Sequence, residues 1–268
     1  MKKLIPVICV IILALAAAGS AGAQNFKGFY FGGYAGGSVD GATTQTTTVF
    51  SSTGYFDPTS VTAINSTGLF NFAPHAINGG GQTGYNFRFG HFVLGAELDY
   101  GSLRINVTHS ATAGYPDFAP STFTITQSLK TRGLFTARPR AGLAFGHIFF
   151  YGTFGVALAN VNYQEAFSDN FAAAAENGGV KVDKAGWTGG GGVEIALSRH
   201  WSMKGEYLYI HMGTLTNTST NLVAFSSPPV SGVASPSAIV SESFPQNPFT
   251  LTATLHEHVG RFGINFWF

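Results

Sequence analysis

Cysteine is all but absent: Cys9, the single one in 268 residues, sits in an apolar stretch near the start of the chain. That excludes a disulfide framework and an acylated cysteine at a processing site. Charge is scarce too, because Asp, Glu, Lys and Arg make up only 10% of the residues, against about 25% in ordinary soluble domains. Without Lys2 and Lys3 the balance is 14 − 2 = 12 basic side chains against 13 acidic, a net −1, so nothing electrostatic points to nucleic acid. Long apolar runs are also missing, since after Ala18 none approaches the roughly 18 residues of a transmembrane helix.

What is abundant is glycine and aromatic residues: 35 Gly, 25 Phe and 10 Tyr. The start of the chain carries Lys2 and Lys3, an apolar run from Leu4 to Ala18, and the small residues Ala21, Gly22 and Ala23. This is the pattern of a cleaved secretory signal over 1–23, with the mature chain expected from Gln24. Only helices and closed barrels satisfy their backbone groups in hydrocarbon, so an exported, apolar, helix-poor chain points to a barrel.

The final segment HVGRFGINFWF makes the case locally. Phe262, Ile264, Phe266 and Phe268 share one face, and Val259, Arg261, Gly263, Asn265 and Trp267 share the other. Strand side chains alternate between faces, so this is a strand with one apolar and one mixed side. The pattern recurs in FVLGAELDYG, where Glu97 and Asp99 oppose an apolar face, and in TRGLFTARPRAGLAF, where Arg132, Arg138 and Arg140 do. It recurs again in WTGGGGVEIAL, with Glu194, and in WSMKGEYLYI, with Lys204 and Glu206. Segments around FKGFYFGGYAGG, INGGGQTGYNFR and IFFYGTFGVALAN bring the count to eight strands.

Connections alternate strictly. Short turns at 89–91, 146–147 and 199–200 follow the second, fourth and sixth strands, and long links at about 40–75, 104–127, 163–182 and 213–252 follow the odd ones. All long links therefore leave one rim and all short turns the other, as in outer-membrane barrels. The long links are rich in Ser, Thr, Ala, Pro and Asn, a composition read as mobile, solvent-exposed and unable to bury a core of its own. The expected fold class is all-β: an eight-stranded antiparallel transmembrane up-and-down β-barrel over 24–268, with short periplasmic turns and four long extracellular loops. The last strand must pair with the first, because lipid tolerates no open edge.

At GYNFRFGHFVLGAELDYG, VEIALSRHWSMKGEYLYIHMG and HVGRFGINFWF the chain resembles the small OmpA-like outer-membrane barrels, especially the porin-like surface antigens of alphaproteobacteria. The resemblance implies residence in the outer membrane of a Gram-negative bacterium, surface exposure, and no catalytic site. It also implies that the terminal strand, through Phe262, Ile264, Phe266 and Phe268, is the signal read by the barrel assembly machinery. The partners expected are outer-membrane lipid, that machinery, and a host or environmental ligand at the loops.

Nine charged residues are assigned to the interior: Glu97, Asp99, Arg132, Arg138, Arg140, Glu194, Lys204, Glu206 and Arg261. Eight strands enclose a space that side chains fill, so these must lie close together. Three readings follow: an ion-paired plug, a narrow polar path for small solutes, or carboxylates paired for hydrolysis. Nothing supplies a nucleophile for the last. His256 and His258 share a strand face, but the zinc motif HExxH needs helical spacing and a third ligand, so no metal or other cofactor is expected. His200 and Ser202 have the HxS spacing of lipid A deacylases, but at a short-turn rim. His75, His109 and His211 are the candidates for a haem-binding surface. The glycine runs at 79–81 and 189–192 lack the Lys and Ser or Thr of a phosphate loop and are read as strand positions that allow bending.

Overall fold

A computed structural model describes residues 25–73, 75–226 and 240–268. The expected signal segment at 1–23 lies outside them. Twelve strands and one helix run in the order β1 (Gly28–Thr47), α1 (Pro58–Thr67), β2 (Leu69–Phe72), β3 (His75–Phe89), β4 (Phe92–Leu103), β5 (Asn106–Gly114), β6 (Thr122–Phe145), β7 (Ile148–Asp169), β8 (Ala175–Ala196), β9 (Trp201–Ser219), β10 (Val223–Ser226), β11 (Val240–Ser243) and β12 (Phe249–Trp267). Eight of them, β1, β3, β4, β6, β7, β8, β9 and β12, form a closed antiparallel ring. Closure runs through β1 and β12, paired from Tyr30↔Trp267 to Thr47↔Thr250. The turns at Gly90, Gly146 and 197–200 share the rim where β1 starts and β12 ends.

The outer face carries an apolar belt. Along β7 the outward positions Phe150, Phe154, Val156 and Leu158 are exposed, and so are Leu94, Leu98 and Tyr100 on β4 and Phe262 and Ile264 on β12. An apolar band that a soluble protein would have to hide is what lipid requires. Above Leu158 the same face of β7 changes to Asn160, Asn162 and Gln164, which marks the upper limit of the belt.

Residues 227–239 of the last long link lie outside the described residues. Where they are described, the long links differ from the mobile loops that composition suggests. Their strands continue far above the belt, and there the ring opens into two facing sheets. β4 leaves β6 after Ser102↔Gly133 and β5 takes its place, while β8 leaves β9 above Trp187↔His211. One sheet is β2–β1–β12–β9 and the other is β5–β6–β7–β8 with β10 and β11 beyond it. Between them Phe56, Ile64, Phe123, Phe167, Phe249 and Leu251 form a buried core. This headpiece buries a core because its apolar residues alternate inward while Thr and Ser take the outer face, as in Ser110–Thr126 and Thr112–Thr124, each 2.8 Å apart. At the top, Asp169 accepts hydrogen bonds from Tyr55 (2.7 Å) and Tyr115 (2.8 Å), so one carboxylate ties three connections together. Burial and that carboxylate push both phenols well above the usual tyrosine range.

Two bulges reconcile the tiers. At Thr131/Leu134 on β6, and near Gly213 on β9, one extra residue shifts which parity points inward. On β6 the apolar series Phe123, Ile125, Leu129 faces the headpiece core before the bulge, and Phe135, Ala137, Leu143, Phe145 faces lipid beyond it, although all are odd-numbered.

Candidate functional site

The barrel interior at belt height is a layer of ion pairs. Glu97 and Asp99 on β4, Arg138 and Arg140 on β6, Glu194 on β8, Lys204 and Glu206 on β9, and Arg261 on β12 all point inward and are almost completely buried. Four cations face four carboxylates, so the layer is neutral.

Glu97 lies at its centre. Arg138 donates to it at 2.6 Å, Lys204 at 2.7 and 2.8 Å, Arg140 at 3.3 Å and Tyr30 at 2.7 Å, with Arg261 3.7 Å away. Asp99 accepts from Arg138 (2.9 Å), from both terminal nitrogens of Arg261 (3.1 Å each) and from Thr136 (2.5 Å). Glu206 accepts from Arg261 Nε (2.6 Å), Tyr151 (2.9 Å) and Arg138 (3.2 Å). Glu194 is held by Ser202 (2.5 Å), Asn265 (2.9 Å) and Arg140 (3.1 Å). Arg140 also lies 4.5 Å over the ring of Tyr30 and 5.3 Å over that of Tyr151, and Arg261 lies 4.3 Å over that of Tyr34. Cations without enough carboxylate oxygens are thus completed by ring faces.

The layer is covered at the short-turn end by apolar side chains and at the headpiece end by apolar side chains interspersed with the buried polar residues Ser38, Asn78 and Thr188. Toward the short-turn rim stand Phe26, Val93, Ala144, Phe149, Ala196 and Trp267, and toward the headpiece Leu103, Leu134, Leu208, Ile210 and Val259. A void of about 10 Å³ bounded by Tyr34, Leu208 and Arg261 has the size of one water-probe sphere. Side chains fill the bore.

Of the nine residues assigned to the interior, eight meet in this layer. Arg132 is a correction: it is exposed on the outer face. Counting by twos from Arg138 and Arg140 places it inside, and the bulge at Thr131/Leu134 turns it outward. Sequence reasoning does not bring in the neutral partners Tyr30, Tyr34, Asn86 and Tyr151, and it places Thr136, Ser202 and Asn265 on the mixed faces without counting them in the network. For Thr136, Ser202 and Asn265 the signal was present, since they alternate with the charges on the mixed faces. The tyrosines fit because glycines face them: a methyl group on Gly84 would collide with the Tyr30 hydroxyl, and one on Gly192 would sit 2.7 Å from that of Tyr151.

The other candidates are dispersed. Ser202 is buried, donating to Glu194 and accepting from Trp267 Nε1 at 2.8 Å, while His200 is exposed at the turn. His75, His109 and His211 lie on β3, β5 and β9, which are not paired with one another. His109 stacks on Phe70 at 3.4 Å, and His258 bonds Tyr207 at 2.6 Å on the outer face. Among the described residues no three His, Cys, Asp or Glu side chains are grouped to hold a metal. Phe262, Ile264 and Phe268 are exposed on the lipid face of β12, and Phe266 packs beside Trp201 and Phe268.

A family model described as outer membrane protein beta-barrel domain matches residues 8–225. The chain belongs to that family. It is an outer-membrane barrel of a Gram-negative bacterium. It is 38% identical over 138 residues to the 31 kDa outer-membrane immunogenic proteins of Brucella melitensis and Brucella suis, a match that covers 50% of this chain and 53% of each relative. The chain thus spans about half the length of the curated relatives it matches. Among solved structures, the outer membrane protease OmpT of Escherichia coli aligns over 94% of this chain and all of its own, with a TM-score of 0.42 and 9% identity. Neisserial surface protein A aligns over 90% of this chain and 98% of its own, with a TM-score of 0.33 and 9% identity.

Proposed function

We propose that this family member is a non-enzymatic, non-conducting barrel that contributes to envelope structure and presents a folded headpiece at the cell surface. The observation that carries the reading is the filled bore, in which a neutral ion-pair layer lies between an apolar layer at the short-turn end and a buried, mainly apolar layer at the headpiece end. A small-solute pore needs a continuous wet path past Glu97, Arg138, Arg140 and Glu206, and each of these is already ion-paired with its neighbours, although one terminal nitrogen of Arg140 has no hydrogen-bond acceptor. Buried charge tolerates this arrangement only when paired, so opening such a path would strand ions at a cost of several kcal/mol, of the order of 3–5.

The immunogenic character in the relatives' names fits a headpiece whose outer face of Thr, Ser and Asn is open to solvent. Loop-borne recognition of a host or environmental ligand belongs to the same surface. The lipid-facing row Phe262, Ile264, Phe266 and Phe268 is the part of β12 available to the assembly machinery before β12 closes on β1.

The test uses cysteine placement, since the described residues contain none. Thr126→Cys on the headpiece should react with a membrane-impermeant maleimide on intact cells, and His147→Cys on a short turn should react only after lysis. Labelling of the turn but not of the headpiece would overturn the surface-presenting reading.

A further inference from the structure

Arg132, turned outward by the bulge, does not stand alone. Where β4 hands over to β5, Thr131 bridges the break: its hydroxyl donates to Leu103 O (2.8 Å) and accepts from Ile105 N (3.1 Å). The handover leaves a concave notch of about 520 Å³ on the outer wall, lined by Arg104, Lys130 and Arg132 together with Ser102 and Asn106. All three cations are exposed, and among the described residues none of them has an ion pair; every ion pair there is inside the barrel.

Their height is informative. On β4 the outward series Leu94, Leu98, Tyr100 ends at Ser102, with Arg104 just beyond the strand. On β6 Phe135 gives way to Arg132 and Lys130, and on β7 Leu158 gives way to Asn160. The notch therefore sits on the upper edge of the lipid belt, on the headpiece side. A second groove of about 410 Å³ shares Arg132 and runs along Tyr100, Phe135 and Leu158, with Asp183 as its acidic residue. The Asp183 carboxylate already accepts from Asn160 at 2.8 Å.

Three unpaired cations, Arg104 in the break between β4 and β5 and Lys130 and Arg132 on β6, repel one another, and an apolar groove leads away from them into the belt. One molecule answers both features: an anion with an acyl chain. We propose that the notch binds the phosphate groups of an anionic outer-leaflet lipid, with one acyl chain laid along Tyr100, Phe135 and Leu158. Phosphate is favoured over a carboxylate headgroup because it offers several oxygens to donors on different strands. Cations at a membrane surface each contribute about a fivefold factor in affinity for anionic headgroups.

The test is native mass spectrometry of the purified full-length barrel in neutral detergent, with bisphosphorylated lipid A as the probe. Wild type should retain the lipid, and Arg104→Gln/Lys130→Gln/Arg132→Gln should retain it about a hundredfold more weakly. Arg132→Gln alone should lose about fivefold, which keeps the test open if the triple variant does not fold. Lys181→Gln, at an exposed cation on β8, should bind as wild type does. Equal retention by the Arg132 and triple variants, or equal binding of lipid A stripped of phosphate, would overturn the proposal. Displacement of the lipid by inorganic pyrophosphate at matched concentration would also overturn it, by showing a free-anion site without an acyl component.

Discussion

Replacing Glu97 by Gln keeps the shape of the side chain and removes its charge from a layer of four cations and four carboxylates. The layer would then carry one uncompensated positive charge inside a sealed bore. Lys204 is the group most exposed to the loss: Glu97 is its partner at 2.7 and 2.8 Å, and what remains is Glu206 at 3.9 Å. Removing one partner of a buried pair costs about 3–5 kcal/mol, which is a large fraction of the roughly 5–15 kcal/mol that holds a typical domain folded. The double variant Glu97→Gln/Lys204→Met restores neutrality at three against three. It should recover about 2 kcal/mol or more of the summed single losses, within the range measured for residues in direct contact. The assay is urea unfolding in lipid vesicles followed by tryptophan fluorescence, with Trp267 buried against Tyr30 at 4.6 Å as a reporter of the barrel floor. Additive losses in the double variant, or a loss below about 1 kcal/mol for Glu97→Gln, would refute the claim that pairing makes this layer tolerable.

Two more outcomes follow from the packing. Gly84→Ala would drive a methyl group into the Tyr30 hydroxyl and to 2.5 Å from Ala96 O; it should destabilise the barrel by about 1–3 kcal/mol in the same unfolding assay, and pairing it with Tyr30→Phe should return part of that loss. In the headpiece, burial and the neighbouring Glu176 raise the Glu165 carboxyl to about 10. The folded state thus keeps a proton that the unfolded state releases above about pH 4.3, so headpiece stability falls as pH rises from there toward 10. Amide exchange on β7 and β8 should show protection dropping between pH 6 and 9 in wild type and a flatter profile in Glu165→Gln; identical slopes would count against a proton held at Glu165.

The belt was legible in the sequence because its strands separate lipid on one side from charges on the other. Period two with Glu97, Asp99, Arg138 and Arg140 on single faces, opposite rows of Leu, Phe and Tyr, is the alternation of a lipid-facing strand around a polar interior. The headpiece was not legible because the alternation inverts there. On β7 the apolar positions move from Phe154, Val156 and Leu158 to Val161, Tyr163 and Phe167 with no break in the strand, and a search for one apolar face ends where the medium changes from lipid to water. Arg132 failed for a related reason, since a bulge leaves no mark on residue counting. Helix α1 did leave one. Asp57 caps it by accepting from Ser60 N at 3.1 Å, Pro58 follows as the first helical residue and Gly68 ends it, a start and stop pattern hidden inside a segment read as loop. The close approach of tyrosines to Gly84 and Gly192 depends on which strands become neighbours, information that local spacing does not hold.

A solid bore is tested most directly by single-channel recording of the purified protein in planar bilayers, with the Arg138→Ala/Arg140→Ala variant alongside. The wild type should be silent and the variant should leak, because removing both guanidinium groups empties the middle of the ion-pair layer, leaves four carboxylates facing Lys204 and Arg261, and takes from Glu194 its cation Arg140. Steady, reproducible channels in the wild type would contradict a filled interior and make the protein a pore.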